Sequence, residues 1–296
     1  MKKEYIKPEV TKEELRSMLM ETNEKLVLLN EQLEESNENL SKVNAELERA
    51  YEKLRRQEKE RGELFANLSH DLRSSVSIIS SSAELLRTSG LDDAEEEEIL
   101  ELIEKRSGFM QRLIEDMFLL AKLESRQREI QLRRIDVRGF LEEFFFSVQA
   151  GDLFQNRKLV LDIPDDFCAE AEMDPELIVR VLDNLFTNAL KYSEDGAEIV
   201  LSVKEVEKPC AECAPDSVIQ ISVRDTGIGI SAEDLPRIFD RSFRSSRART
   251  PEDGSSGLGL SIVKSIVEQH GGTVFCESEP GVGSCFVFTI KSKPCL

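Results

Sequence analysis

His70 and Asp71 are neighbours in the run Phe65-Ala-Asn-Leu-Ser-His-Asp-Leu-Arg-Ser-Ser-Val76, and His70 is one of two histidines in the chain. A neutral imidazole, with an unperturbed pKa of about 6.5, is a usable nucleophile near neutral pH. An adjacent carboxylate can accept its N–H and enrich the other ring nitrogen. Leu68, Leu72, Val76, Ile79, Ala83 and Leu86 form one apolar helical stripe. His70 falls about 160° around the helix from Leu68 and Leu72, so the spacing predicts an exposed histidine rather than a core one.

A second set of residues suits phosphate. In Leu182-Asp-Asn-Leu-Phe-Thr-Asn-Ala-Leu-Lys-Tyr-Ser193, the residues Asn184, Asn188 and Lys191 step by four and then three, which places them on one helix face. Amide oxygens there can hold a hard magnesium ion, and the lysine can meet phosphate oxygens; taken alone, the same face reads as a solvated one. Asp225-Thr-Gly-Ile-Gly-Ile230 follows a strand pattern, and Gly254-Ser-Ser-Gly-Leu-Gly-Leu260 opens a helix that runs to about His270. Each glycine pair lets the backbone approach a ligand and turn its N–H groups toward phosphate. The three segments in this order, after a helix with an exposed histidine, point to phosphoryl chemistry.

These groups need rigid carriers. No proline lies between Pro8 and Pro164, and from Thr11 to Thr88 the only glycine is Gly62, which suits very long helices. Leu19, Leu26, Leu33, Leu40, Leu47 and Leu54 recur every seven residues, a coiled-coil seam, and Asn23, Asn30, Asn37 and Asn44 keep the same period in or beside it. No stop accompanies Gly62, so the rod is expected to run on into the helix of His70. Gly90 supplies the break, and Asp92 or Asp93 with a glutamate three residues later forms a capping box. The next helix, ending near Arg126, is expected to bury Ile99, Leu102, Ile103, Phe109, Met110, Leu113, Ile114, Met117, Leu120 and Leu123. An antiparallel hairpin of this kind cannot bury both stripes alone, whereas two copies can close a four-helix bundle.

After Ser125 the pattern changes. Strands are expected at 198–206, 218–223, 273–277 and 285–290, and helices at 139–149 and 175–191, with Phe144, Phe145 and Phe146 in the core. The expected parts are a polar tail (1–11), a coiled-coil helix (12–60), a helical hairpin (61–126) and an α/β domain (129–296).

Composition narrows the classes. Acidic residues outnumber basic ones 58 to 39, for a net charge of −19, which argues against nucleic acid or an anionic membrane as partner. No apolar run approaches the roughly 20 residues that span a bilayer, and the expectation is a cytoplasmic protein without a membrane span. Cys210 and Cys213 have the spacing of half a zinc site or a redox pair, but no second pair exists, so they read as a loop feature.

Over roughly residues 61–291 the sequence resembles the cytoplasmic core of two-component sensor histidine kinases. The family's phosphoacceptor box is similar to 65–76, its N box to 183–193 and its first glycine box to 225–230. Its F box is similar to Arg237-Ile-Phe-Asp-Arg-Ser-Phe-Arg244, and its second glycine box to 254–260, with the tail Val267-Glu-Gln-His-Gly-Gly272. The resemblance implies a multidomain chain: an N-terminal parallel coiled coil, a helical hairpin dimerising to a four-helix bundle, and an α/β two-layer sandwich ATP-binding domain of the histidine-kinase and gyrase type. It would make 12–60 a signalling helix, 61–126 a dimerisation and histidine phosphotransfer domain and 129–296 a catalytic ATP-binding domain. ATP and Mg2+ are the implied cofactors. The implied partners are a second copy of the chain, a response regulator protein and an unknown upstream sensor.

By position, His70 would be the phosphoacceptor, with Asp71 taking its proton. Asp225 would bond the adenine amino group, Tyr192 would pack on the ring, and Asn188 would ligate magnesium beside Asn184. Lys191 and Arg244 would contact phosphates, and Gly227, Gly229, Gly257 and Gly259 would line the nucleotide. Phe239 and Phe243 would anchor a mobile loop whose 245–256 stretch is polar, and His270 would be structural. Where the family usually has threonine or asparagine and then proline after the histidine, this chain has Ser74 and Ser75. Ser74, four residues from His70, would position the water that dephosphorylates the partner, less firmly than threonine. Without the proline the helix should run straighter. A nucleotide-binding pseudokinase scaffold and a gyrase-like ATPase are the alternatives.

Overall fold

The computed structural model describes residues 11–87, 91–124, 130–208, 216–241, 243 and 257–293, and the chain divides after Glu63 into two units. The first unit is the start of helix α1 (Lys12–Leu85). Its six heptad leucines are all exposed in the single chain. Surface pairs such as Lys25 with Glu21, 2.7 Å apart, add only about 0.3–0.5 kcal/mol each. Helix α1 passes Gly62 without interruption, as the absence of a stop signal predicts.

The second unit begins with the remainder of α1. Gly90, Ser125 and Arg126 lie outside the described residues. Helix α2 (Asp93–Glu124) opens with the expected box, at Asp92: Asp92 N–H donates to Glu95 Oε2 at 3.0 Å, and Glu95 N–H donates to Asp92 Oδ1 at 2.8 Å. On α1 the buried positions are Leu64, Leu68, Ser75 and Ser82, a stripe shifted from the one expected, while Val76 is 48 % exposed. On α2 Phe109, Leu113, Leu120 and Leu123 are buried, whereas Leu102 and Ile114, also expected to be buried, are exposed in the single chain. The reason is geometric: two helices share one mutual face, and apolar side chains pointing elsewhere stay in water unless another surface covers them.

The rest of the unit is an α/β layer pair. Its elements are β1 (Arg133–Asp136), α3 (Val137–Ala150), β2 (Lys158–Asp162), β3 (Glu170–Met173), α4 (Pro175–Lys191), β4 (Glu198–Lys208), β5 (Asp216–Asp225), α5 (Gly259–Gln269), β6 (Val274–Glu279) and β7 (Gly283–Lys293). The sheet order is β1-β3-β7-β5-β4-β2, with β6 also on β7; β2 and β4 run parallel and the other pairs antiparallel. Strands β1, β2 and β3 escaped the sequence reading because Arg133–Asp136 and Glu170–Met173 carry few apolar residues and Leu159, Val160 and Leu161 of β2 are consecutive rather than alternating. Cross-strand register puts Leu201, Val223 and Phe286 in one buried row and Val203, Ile221 and Phe288 in the next.

Helix α4 starts where the sequence places it. Asp174 caps it by accepting from Leu177 N–H, and Pro175 occupies the first turn. Phe186 on its buried side meets Phe144 and Phe154 edge-on, at ring-centre distances of 5.3 and 6.0 Å. Phe146, expected in the core, is exposed. Three consecutive helical residues span about 200°, so the run cannot face one side.

Candidate functional site

His70 stands clear of the packed stripe, with its side chain 80 % exposed. Ser74, one turn on, is exposed on the same face. Asp71 Oδ1 lies 3.7 Å from His70 Nδ1, beyond hydrogen-bond range. The expected acid–imidazole hydrogen bond is therefore a near contact here, because adjacent helical residues diverge by about 100°.

A cavity of about 520 Å³ gathers the second set. Asn184, Asn188, Lys191 and Tyr192 line it from α4, and Gly257 and Gly259 line it from the start of α5. Asn184 Nδ2 donates to Arg180 O at 2.9 Å. Its oxygen faces Gly259 so closely that a Cβ there would lie 2.7 Å from it. Lys191 Nζ sits 5.0 Å from the centre of the Tyr192 ring.

Asp225, Gly227 and Gly229 do not line this cavity but adjoin it through Tyr192, whose carbonyl accepts from Ile228 N–H at 3.0 Å. A Cβ on Gly227 would come within 2.2 Å of that carbonyl oxygen. Gly229 has φ 69°, the left-handed region that glycine adopts without strain. Asp225 ends the alternating row Ile219, Ile221, Val223 and is buried like them. Burial raises its carboxyl above the ordinary aspartate value, and the bonds it accepts from the Gly227 and Ser284 N–H groups only partly oppose the shift.

Arg244, the 245–256 stretch, Cys210 and Cys213 lie outside the described residues. Phe239 packs edge-on against Phe286, and Arg237 lies over Phe243. His270 is buried; its Nε2 accepts from Asp174 N–H at 3.0 Å and its Nδ1 faces Ile266 O at 2.7 Å, so it ties the end of α5 to the cap of α4. His70 is not among the residues lining the cavity.

The sequence reading missed the opposite wall. Phe109, Arg112, Leu113 and Asp116 of α2 face the cavity, as does Arg180 of α4, which bonds Asp116. Arg180 is four residues before Asn184, so the same spacing argument would have found it. Nothing local marks Asp116. Burial raises its carboxyl, with Arg180 opposing the shift.

The residues fit a magnesium nucleotide. Gly257 and Gly259 present backbone without side chains to the cavity, a lysine reaches it for phosphate, and the amide of Asn188 is a hard oxygen donor. Among the described residues no group of three or more His, Cys, Asp or Glu could hold a metal by itself. None of the described helices is long and apolar enough to cross a membrane.

Comparison with known proteins agrees with this layout. The family described as His Kinase A (phospho-acceptor) domain matches residues 60–126, and the family described as histidine kinase-, DNA gyrase B- and HSP90-like ATPase matches residues 173–294. The sensor histidine kinase WalK of Bacillus subtilis (strain 168) is 31 % identical over 237 residues, which cover 80 % of this chain and 37 % of WalK. A Staphylococcus aureus WalK is 32 % identical over 239 residues, covering 80 % of this chain and 54 % of that protein. The chain thus spans between about a third and about half the length of these relatives. In fold it is similar to histidine kinase ThkA, solved in complex with response regulator protein TrrA, at 21 % identity and TM-score 0.58, over 79 % of this chain and 62 % of that one. It is also similar to the Acinetobacter baumannii histidine kinase AdeS, at 22 % identity and TM-score 0.53, over 75 % and 97 %.

Proposed function

Because the chain belongs to the two-component sensor histidine kinases, we propose that it transfers the γ-phosphoryl group of ATP to His70 and passes it to an aspartate of a separate response regulator. The observation that carries this reading is the cavity in which Asn184, Asn188, Lys191, Tyr192, Gly257 and Gly259 converge, in a chain whose one exposed described histidine lies on another helix. An imidazole nitrogen of His70 attacks phosphorus, the bond from phosphorus to the bridging oxygen breaks, and ADP leaves with that oxygen. Asp71 is close enough to orient the ring and take its proton after a small rotation.

Asn188, beside Asn184, would hold magnesium. When bound, the ion supplies charge neutralisation across the phosphate oxygens. Lys191 and Arg244 take up charge on the transferring group. Asp225 accepts from the adenine amino group, Tyr192 packs on the ring, and Gly227, Gly229, Gly257 and Gly259 let the backbone come close. Ser74 positions the water that removes phosphate from the response regulator.

The heptad leucines and the exposed apolar residues of the hairpin, Val76, Leu102 and Ile114, support a parallel homodimer. The rod (12–60) would bring a signal from an upstream sensor to a phosphotransfer domain (61–126), with catalysis in 129–296, on the cytoplasmic side. Incubation with γ-labelled ATP and magnesium tests the core of the reading. Wild type should gain acid-labile label and His70→Gln should not, while the variant still binds nucleotide; equal labelling of the variant would refute the assignment.

A further inference from the structure

The end of α4 carries Lys191 and Tyr192, the side chains proposed to meet the phosphates and the adenine, and a helix end leaves carbonyls without partners inside the helix. Here Asn188, Ala189 and Leu190 each have an identifiable one. Asn188 O accepts from Tyr192 N–H at 3.0 Å, and Ala189 O accepts from Ser193 Oγ at 2.6 Å. Leu190 O accepts from Arg157 Nη2 at 3.5 Å, and the same nitrogen donates to Ser193 O at 2.8 Å. Arg157 Nε donates to Ser193 Oγ at 3.2 Å, and Nη1 to Asn156 O at 3.4 Å and to Asp195.

Arg157 stands before β2, more than 30 residues away in sequence, and its side chain is 9 % exposed against 75 % for Asp195. One nitrogen of its planar fork, Nη2, reaches the backbone on both sides of Lys191 and Tyr192, and the other two hold Ser193 Oγ, Asn156 O and Asp195, five acceptors that one ammonium with three donors cannot all serve. Its positive charge also faces the negative end of the helix dipole. On the far side, Ile228 N–H holds Tyr192 O.

We infer that Arg157 is a positioning residue for the nucleotide: it clamps the Leu190–Ser193 backbone and so fixes the directions of the Lys191 and Tyr192 side chains. The inference rests on the ATP-site reading above. Misplacement of binding groups by a fraction of an ångström weakens binding without touching the nucleophile.

The test uses the full chain. Affinity for a trinitrophenyl ATP analogue is measured by fluorescence, alongside the initial rate of His70 labelling at saturating ATP and the melting temperature. Arg157→Met should raise the nucleotide Kd about tenfold or more and also lower the saturated labelling rate, because the misdirected Lys191 takes up charge on the transferring group. Arg157→Lys should recover part of the affinity, and Asp195→Asn should bind as wild type does, since only the outer ion pair is lost. A folded Arg157→Met whose Kd stays at the wild-type value, whatever its melting temperature, would overturn the inference. Should Arg157→Met not fold, Arg157→Lys decides in the same way: a raised Kd supports the clamp, and an unchanged Kd overturns it. Failure of the wild type itself to bind the analogue would overturn the site reading, and this inference with it.

Discussion

Arg180 on α4 donates a charge-assisted hydrogen bond to Asp116 on α2, so a guanidinium of the α/β layer and a buried carboxylate of the helical hairpin meet at the wall of the cavity. His70 does not line that cavity, so the proposed phosphoryl transfer would bring the nucleotide and the histidine together, and the pair, by tying α4 to α2, would restrain that approach. Asp116→Asn should therefore speed His70 labelling severalfold while costing about 1–3 kcal/mol of stability. Labelling time courses and chemical denaturation check this; an unchanged rate would show that the pair is no restraint.

Asp225 gives a pH signature. Burial holds its folded-state pKa above the unfolded value, so the native protein takes up this proton first on acidification. This group adds stability as pH falls through the raised value and withdraws it as pH rises through it. Nucleotide affinity should move the opposite way, weakening on acidification at a pH above the ordinary aspartate range, as the carboxylate loses its strength as an acceptor. Titration of Kd against pH should show this in wild type, and Asp225→Asn should lose the dependence along with about tenfold or more in affinity.

Two glycine substitutions should separate folding from binding. A Cβ at Gly227 meets a backbone oxygen at 2.2 Å, so Gly227→Ala must displace the chain and should lower both melting temperature and affinity. A Cβ at Gly259, the first residue of α5, meets only the side chain of Asn184, whose oxygen would lie 2.7 Å away. Gly259→Ala should keep its melting temperature and lose nucleotide affinity, which calorimetry of both variants would reveal.

Val76 is an apolar side chain left in water by its own chain. Val76→Glu should shift the light-scattering mass from dimer toward monomer, more so when residues 1–60 are also removed, since the leucine rod then no longer holds the copies together. A wild type that is monomeric at micromolar concentration would refute the dimer.

Ser74 offers threonine's hydroxyl without the methyl that restricts its rotamer. Purified protein should charge its response regulator and discharge it slowly, and Ser74→Ala should remove the residual dephosphorylation while His70 still labels. Rapid, ADP-stimulated dephosphorylation that Ser74→Ala eliminates would count against weak water positioning.

What the sequence by itself determined is what short-range periodicity controls. A helical period places His70 opposite Leu68, joins Asn184, Asn188 and Lys191 on one face, and seats Asp92 and Glu95 in a cap. A strand period of two sends Asp225 to the same side as Ile219, Ile221 and Val223, and so into the protein. Tertiary structure alone decided which stripes find a cover. Ser75 and Ser82 are buried while Val76, Leu102 and Ile114 are not, because burial depends on where a second helix lies and not on polarity alone. It also decided the contacts between distant segments: Asp116 with Arg180, Arg157 with the end of α4, His270 with Asp174. Each joins residues at least 33 positions apart, in surroundings fixed only once the sheet and helices have packed, and no local pattern in the chain encodes that proximity.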